Sequence, residues 1–347
     1  MAQHQAKTVR RKAEHVEVTL GKNVQCRAKS AGFDDIDFVH CALPELDFDK
    51  IDTRSKLFGK PMSAPIIISS MTGGYAGAEK INAELAKAAQ ELGLAMGVGS
   101  QRAMIEQKSL ASTYNIRKVA PDIPLFGNIG ICQLKKYSPA QIEAAVSAIG
   151  ADALAVHLNP LQEIIQPEGD RDFTGCLPAL ERLCSKLNVP VIAKEVGSGI
   201  SGEVAKQLER AGVKFIDVSG AGGTSWSGVE IERSGCHYEY WDWGIPTAVA
   251  VVDVARSTRL PVIASGGMRC GLDVAKGIAL GASYGAAAQP FLAAVSKGGA
   301  KAAACELQSW IDSLKMAMLL TRAHNLEKLA KAKLLVTGQT AERLRLL

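Results

Sequence analysis

Between Ala151 and Val196, two apolar runs end abruptly in residues that do chemistry. ADALAV stops at His157, Asn159, Gln162 and Glu163, and PVIA stops at Lys194 and Glu195. Imidazole, amide and carboxylate side chains gathered in this way hold and pass protons, and a carboxylate also binds a hard cation. Glu163 in QEIIQPEGDRD, a lone carboxylate next to the mouth, suits Mg²⁺. That ion takes one or two carboxylates and completes its shell with water and substrate phosphates. Lys194 leaves an apolar strand and must face an anionic partner, because an unpaired buried ammonium is costly. The bland reading of any one of these residues is an ordinary strand-to-helix loop position.

Short buried strands that finish in polar clusters are the sequence form of a parallel β/α barrel. There the strand interiors fill the core, and the C-terminal strand ends carry the site. The rest of the chain repeats the pattern. From Ala64 onward PIIISSMTGG, LAMGVGSQ, PLFGNIG, ADALAVHLN, PVIAKEVG, FIDVSGAGG, PVIASGG and a weaker SYGAAAQPF read as strands one to eight. Helical spacing fills the gaps, as from Ala78 to Leu92, in SGEVAKQLERAG and in GLDVAKGIALG. Several of these stretches end in Gly just before the next strand, the expected stop. Eight such units predict an α/β fold, a closed (β/α)₈ TIM barrel rather than an open doubly wound sheet.

Residues 1–60 lack this rhythm and read as an N-terminal extension that packs on the barrel or folds over its mouth. Residues 61–300 read as the barrel and 301–347 as C-terminal helices, all in a single domain. A long amphipathic helix is expected from about Cys305, with one or two short ones after it. Two connections, Pro160 to Phe173 and Ser227 to Gly244, are too long for plain turns and read as lids or interface loops.

The other strand ends add a second set of residues. IASGGMRCGLD follows strand seven and GAAAQPF ends strand eight, where barrels commonly bind a phosphate. Gly266 and Gly267 let backbone N–H groups approach its oxygens. Ser69, Ser70, Met71 and Thr72 end strand one, Ser100 strand two, Asn128 strand three, and Ser219 and Thr224 strand six. Together they resemble a set of flavin contacts. Lys194 then has two candidate partners, the N1–C2=O edge of a reduced flavin or a carboxylate such as Glu195. Arg11, Lys12 and His15 in RRKAEH, with Arg102 after strand two, read either as a second anion site or as a solvated tail.

Composition narrows the partners. With 347 residues, 47% hydrophobic and 22% charged, the chain is long enough for one decorated barrel. A formal charge of +5 is weak over this length, and no basic run carries interleaved aromatics. Nucleic acid is therefore not expected, and a mildly basic pocket for a small anion is. No apolar stretch has the length of a membrane span, and MAQHQAKTVRRKAEH has no apolar core of a signal peptide. The eight cysteines show no C-x-x-C pair and read as mostly buried, reduced thiols of a cytoplasmic protein.

In order along nearly the whole chain, a further set of motifs stands out. RKAEH, FDDIDFVHCALPEL, SSMTGG, GVGSQRA, GNIG, HLNPLQEIIQPEGDRDF, KEVGSGIS, SGAGGTSW, DWGIPT and SGGMRCGLDVAKGIALGA resemble the type 2, FMN-dependent isopentenyl-diphosphate isomerases. HLNPLQE-x-x-QPEGDRDF and SGAGGTSW are specific, whereas many FMN barrels share the glycine pairs. The resemblance implies interconversion of isopentenyl and dimethylallyl diphosphate in isoprenoid biosynthesis. It also implies reduced FMN, Mg²⁺, NADPH as reductant, and a homo-oligomer, tetramer or octamer. Substrate contacts fall to Arg11, Lys12, His15, Ser100, Gln101, Arg102, His157, Asn159 and Gln162, and the metal ligand to Glu163. FMN contacts fall to Ser69 through Thr72, Ser100, Asn128, Lys194, Ser219, Thr224, Gly266, Gly267, Met268, Arg269, Ala288 and Gln289.

Two positions depart from the family. Gln289 stands where many bacterial members have Arg, which predicts fewer cationic contacts to the FMN phosphate. A β-branched residue commonly sits in place of Tyr284 or Gly285. The implied 1,3-proton shift passes through tertiary carbocation character, so catalysis falls to Gln162, His157 and Glu230. Gln162 relays or positions a proton, with Glu230 or the flavin as the other partner. One rival is an FMN-dependent 2-hydroxy-acid oxidoreductase, which needs a His base and paired Arg where this chain has SGAGGTSW. The other is a non-catalytic flavin-binding barrel, which has no use for the polar cluster at 157–163.

Overall fold

The computed structural model describes residues 2–347, with side chains from Val9 onward. Helix α1 (Ala2–Gly21) is followed by the short strand β1 (Ile36–Phe38) and a hairpin of β2 (Ser55–Leu57) and β3 (Lys60–Met62). Then the alternation sets in. β4 (Ile66–Ile68) leads to α2 (Ala76–Leu92), β5 (Ala95–Gly97) to α3 (Arg102–Glu106), and β6 (Leu125–Gly130) to α4 (Pro139–Ala148). β7 (Ala153–Leu158) leads to α5 (Pro160–Ile165) and α6 (Cys176–Cys184), and β8 (Val191–Glu195) to α7 (Gly202–Arg210). β9 (Phe215–Asp217) leads to α8 (Trp226–Ser234) and α9 (Thr247–Ser257), and β10 (Val262–Ser265) to α10 (Gly271–Ala279). β11 (Tyr284–Ala287) runs into α11 (Gln289–Leu320), and α12 (Leu326–Leu329), β12 (Leu334–Val336) and α13 (Gly338–Arg345) follow. Strands β4 to β11 pair in chain order, in parallel, and β11 closes on β4. This is the (β/α)₈ barrel expected from the sequence.

Alternation along each strand explains how the barrel presents its site. Successive strand side chains point to opposite faces. Ile66 and Ile68 join the apolar layer under the helices, with Leu85 and Ala89 of α2, while Ile67 joins the barrel interior. That interior is filled by Ala95, Phe126, Ala153, Ala155, Ile192, Ile263 and Ala286. Counting two residues onward from Phe126, Ala155, Ile192 and Ile263 gives Asn128, His157, Lys194 and Ser265. The same parity that packs the core therefore delivers the polar set to the barrel mouth.

The hairpin plugs the opposite end. Phe58 and Gly59 turn with φ of 51° and 80°, and the Phe58 ring meets Phe126 and Phe215 edge-on at 6.3 and 5.2 Å. Phe58→Ala is expected to lower stability by about 2 kcal/mol, less than the ~3–5 kcal/mol of a fully buried Phe. Urea denaturation checks this, with the cofactor end of the barrel unaffected.

Several expectations need correction. The two long connections read as lids or interface loops are partly helical: they hold α5 and most of α8, and Gln162 and Glu163 of α5 line the mouth cavity. The long C-terminal helix starts well before Cys305: α11 runs from Gln289 and is broken only at Gly298 and Gly299. The tail is not purely helical either, since β12 pairs antiparallel with β1. Only Cys132 and Cys176 are buried, and Cys305 is exposed. The departures in β11 fit: the Tyr284 hydroxyl donates to Lys56 O, and a Cβ on Gly285 would come 2.7 Å from Val274. No helix among the described residues is long and apolar enough to cross a membrane.

Candidate active site

A cavity opens at the C-terminal ends of the barrel strands, with α1 laid across one side. Every site residue read from the sequence lines it except Gln101 and Glu230. Gln101 is turned into the core: its Nε2 donates to Ala145 O at 2.7 Å, and its Oε1 accepts from Asn128 N at 3.2 Å. It braces β6 and has no face on the cavity. Glu230 is fully buried behind His15 and Gln162.

At one end of the cavity the donors suit a flavin. Ser69 Oγ and Ser70 Oγ are buried without a hydrogen-bond partner, so the wall there is incomplete by itself. Gly266 and Gly267 have φ of 96° and 73°, and a Cβ on Gly267 would meet Gly222 O at 2.6 Å. Only glycine allows this loop to pack so closely on the 219–223 turn. Arg269 beside it is held below its usual pKa by burial, as a cation lacking a full counter-charge would be. Lys194 pairs with Asp217 at 3.1 Å rather than with Glu195. The Glu195 carboxylate instead accepts from Val196 N and Gly197 N, both at 2.6 Å. Burial, partly offset by these N–H groups, raises Glu195 to about 7.

Another part of the lining is cationic. Burial lowers the Arg11 pKa despite neighbouring carboxylates, and its Nε has no partner. Lys12 Nζ donates to Gly73 O, Ser100 O and Tyr114 Oη at 2.8, 2.6 and 2.9 Å, so its three N–H donors are all used. Burial, with Arg11 and Arg102 nearby, brings it down to about 7. His15 stands edge-on to Trp226, with ring centroids 5.2 Å apart, and Arg102 is ion-paired with Glu106 at 2.8 Å.

A hydrogen-bonded chain runs from Glu163 through Asn159, Gln162 and Glu230 to His15. Asn159 occupies the N-cap position of α5, before Pro160, but its side chain does not cap the helix. Its Nδ2 instead donates to Gln162 Oε1 and Glu163 Oε1, both at 3.1 Å. Glu163 Oε2 accepts from Asp170 N at 2.7 Å. Gln162 Nε2 donates to Glu230 Oε1 at 3.0 Å, and His15 Nε2 lies 2.8 Å from the same oxygen. Glu230 Oε2 accepts from Arg233 Nε at 2.8 Å. Burial alone would raise Glu230, but His15, Arg233 and Gln162 outweigh it and hold the carboxyl at about 2. Burial, with Lys194, Lys12 and Arg11 adding to it, pushes His157 down to about 3, so its ring is neutral. Its Nδ1 lies 2.8 Å from Asn128 Oδ1, an acceptor, which puts the proton on Nδ1.

Among the described residues no group of three His, Cys, Asp or Glu side chains could hold a metal. Glu163 is a lone carboxylate on the cavity, which fits an ion that borrows its remaining ligands from a substrate phosphate and water. The sequence reading missed Gln133, Gln166 and Trp226 in the cavity wall. With its amide oriented by its neighbours, Gln166 donates to Glu230 Oε1 at 3.1 Å and accepts from Arg11 Nη1 at 2.7 Å. Gln133 lies in none of the quoted motifs, but Gln166 stood in HLNPLQE-x-x-QPEGDRDF. Trp226 stood in SGAGGTSW, the motif already singled out.

Residues 4–159 and 135–336 match the FMN-dependent dehydrogenase family. Three curated relatives carry the name isopentenyl-diphosphate delta-isomerase. The protein of Pyrococcus furiosus is 46% identical, with 97% of this chain and 89% of that one covered. That of Methanosarcina barkeri is 45% identical, covering 96% and 94%. That of Archaeoglobus fulgidus is 46% identical, covering 96% and 98%. The chain belongs to the type 2, FMN-dependent isopentenyl-diphosphate delta-isomerase family. Its barrel is also shared with more distant proteins. A lactate oxidase of Pediococcus acidilactici superposes with a TM-score of 0.69 at 18% identity, covering 95% of this chain and 94% of that one. A mandelate oxidase gives 0.67 at 16%, covering 96% and 99%. At that identity the oxidases share the fold with this isomerase family, and the likeness extends no further.

Proposed function

We propose that the chain interconverts isopentenyl and dimethylallyl diphosphate with reduced FMN and Mg²⁺. One observation carries this reading: a single cavity joins a strand-end set suited to FMN to a buried cationic end where Arg11 Nε lacks a partner. A small alkene binds weakly by itself, so its diphosphate must anchor it. Arg11, His15 and Arg102 face that anion, and Glu163 would hold Mg²⁺ against it. Ser69 through Thr72, Ser100, Asn128, Lys194, Ser219, Thr224, the 266–269 loop, Ala288 and Gln289 would hold FMN. When bound, reduced FMN supplies an electron-rich ring face and a nitrogen that exchanges a proton.

The chain's own residues orient and restrain. Glu230 and Asn159 take opposite ends of the Gln162 amide and lock it in one orientation. Neutral His157 adds no positive charge where carbocation character develops. A 2-hydroxy-acid oxidase reading lacks its base, since Ser219 to Trp226 contain neither His nor Arg. NADPH as electron source, a cytoplasmic location and a tetramer or octamer complete the proposal and rest on the resemblance.

The test is direct. Purified protein should show the visible bands of oxidised flavin and turn over isopentenyl diphosphate with Mg²⁺ under reducing conditions. A flavin-free protein, or one that oxidises a 2-hydroxy acid instead, refutes the reading.

The division between neighbouring residues gives a second expected result. Glu163→Gln should need roughly tenfold more Mg²⁺ and recover activity when it is supplied. Gln162→Ala should lose kcat with little change in metal dependence. Asn159→Ala should disturb both, since its one amide nitrogen spans both side chains. Titrating Mg²⁺ against activity in the three variants checks the assignment, and curves that shift alike would show Gln162 and Glu163 acting as one unit.

A further inference from the structure

We infer that Asp217 is a positioning residue for the cofactor end of the cavity, holding the Lys194 side chain as an ammonium against the reduced flavin ring. The inference rests on the FMN reading above. In the β8–β9 register Lys194 lies opposite Asp217, and both belong to the inward-pointing parity. Lys194 Nζ stands 3.1 Å from Asp217 Oδ2 and donates to Glu195 O at 3.0 Å. An ammonium has three N–H donors, so two are engaged in the barrel wall and one is left for the cavity. Lys194 lines that cavity and Asp217 does not.

Asp217 is itself pinned. Its Oδ1 accepts from Ser265 Oγ on the next strand, so both carboxylate oxygens are occupied. The pair is nearly dry, with Lys194 6% and Asp217 2% exposed. A buried ammonium without a counter-ion is strongly disfavoured and gives up its proton instead. Among the described residues no other carboxylate forms an ion pair with Lys194. Glu195, next in sequence, turns its carboxylate to Val196 N and Gly197 N. On the other side His157 lies opposite Lys194 in the β7–β8 register and is neutral, so it brings no competing cation.

The experiment turns on a sign. Removing a negative charge near the flavin would, by itself, tighten reduced FMN relative to oxidised FMN and raise the midpoint potential. If Asp217 maintains the Lys194 charge, Asp217→Asn removes a cation as well as an anion. Reduced FMN should then bind about tenfold more weakly relative to oxidised FMN, the scale of one charge-assisted contact, and the midpoint potential should fall. Lys194→Met should shift the potential in the same direction, and the double variant no further than either single one. FMN affinity is read by fluorescence quenching, and the potential by dithionite titration against a reference dye.

A potential that rises in Asp217→Asn overturns the assignment. So does an Asp217→Asn effect of equal size in the Lys194→Met background, the mark of a merely structural role. If the single variant fails to fold, Asp217→Asn/Lys194→Met strands no ammonium and carries the same comparison against Lys194→Met alone. Equal potentials there support the assignment and unequal ones overturn it. A parent protein that binds no FMN removes the underlying reading as well. A parent that binds FMN, with the wrong sign in Asp217→Asn, removes only this inference.

Discussion

Replacing Glu230 by alanine should lower kcat by about a hundredfold, the loss of roughly 2–3 kcal/mol of transition-state positioning, while FMN stays bound. The fully buried carboxylate accepts from Gln162 Nε2 and Arg233 Nε and faces His15 Nε2. Its removal frees the Gln162 amide to rotate and leaves His15 without a partner on that side. Arg233 keeps Glu14 and Glu168, which limits the structural damage. The stability loss should therefore fall near the lower end of the ~3–5 kcal/mol typical of a broken buried pair. A pH signature accompanies it. A carboxyl held at about 2 in the folded protein, against the usual 4.5, contributes stability that is full above 4.5. That contribution disappears as the pH falls through about 2. Thermal melts from pH 6 to pH 2 should show a shallower acid decline in Glu230→Gln than in the parent, and superimposable slopes would refute the assignment.

Neutralising Arg11 and neutralising Lys12 should give two different phenotypes, although the residues are adjacent. Arg11→Met removes a guanidinium that lines the cavity and whose buried Nε has no partner. KM for the diphosphate should rise about tenfold or more, because a charge-assisted contact contributes about 1.5–3 kcal/mol. FMN affinity should not change. Lys12→Met instead leaves Gly73 O and Tyr114 Oη without the ammonium that holds α1 to the barrel, so α1 should loosen and kcat should fall with KM. The sign of its pH dependence follows from the lowered pKa. Between about 7 and its ordinary 10.5, unfolded Lys12 binds a proton that the docked form does not. Docking of α1 should therefore strengthen as the pH rises through that window. Hydrogen exchange of α1 at pH 7 and pH 9.5 reads this directly, and protection that falls with pH would refute it.

What was legible in the sequence follows from parity. Strand interiors alternate, so a run such as ADALAV announces both a buried strand and, two residues past its last inward alanine, an inward-facing His157. That is why the eight strands and the strand-end set came out together. Gln101 lay beyond such reasoning: it shares GVGSQRA with Ser100 and Arg102, yet at the N-cap of α3 its side chain turns to Ala145 O in the core. Glu230 took its catalytic reading only from the resemblance, because its partner Gln162 is 68 positions away. The pairing of β1 with β12 was hidden for the same reason: three-residue strands at opposite ends of the chain give no turn signal to join them.

The long reach of α1 also sets an order of assembly. His15 and Glu230 meet across 215 positions, whereas Lys12 reaches Tyr114 across 102, so α1 is gripped in two stages. During translation the chain emerges from its beginning, and domains fold as their parts become available. The His15 contact of α1 is thus made later than its Lys12 contacts. Until α8 arrives, His15 lacks the carboxylate that will hold it, while Lys12 can already find its partners between Gly73 and Tyr114.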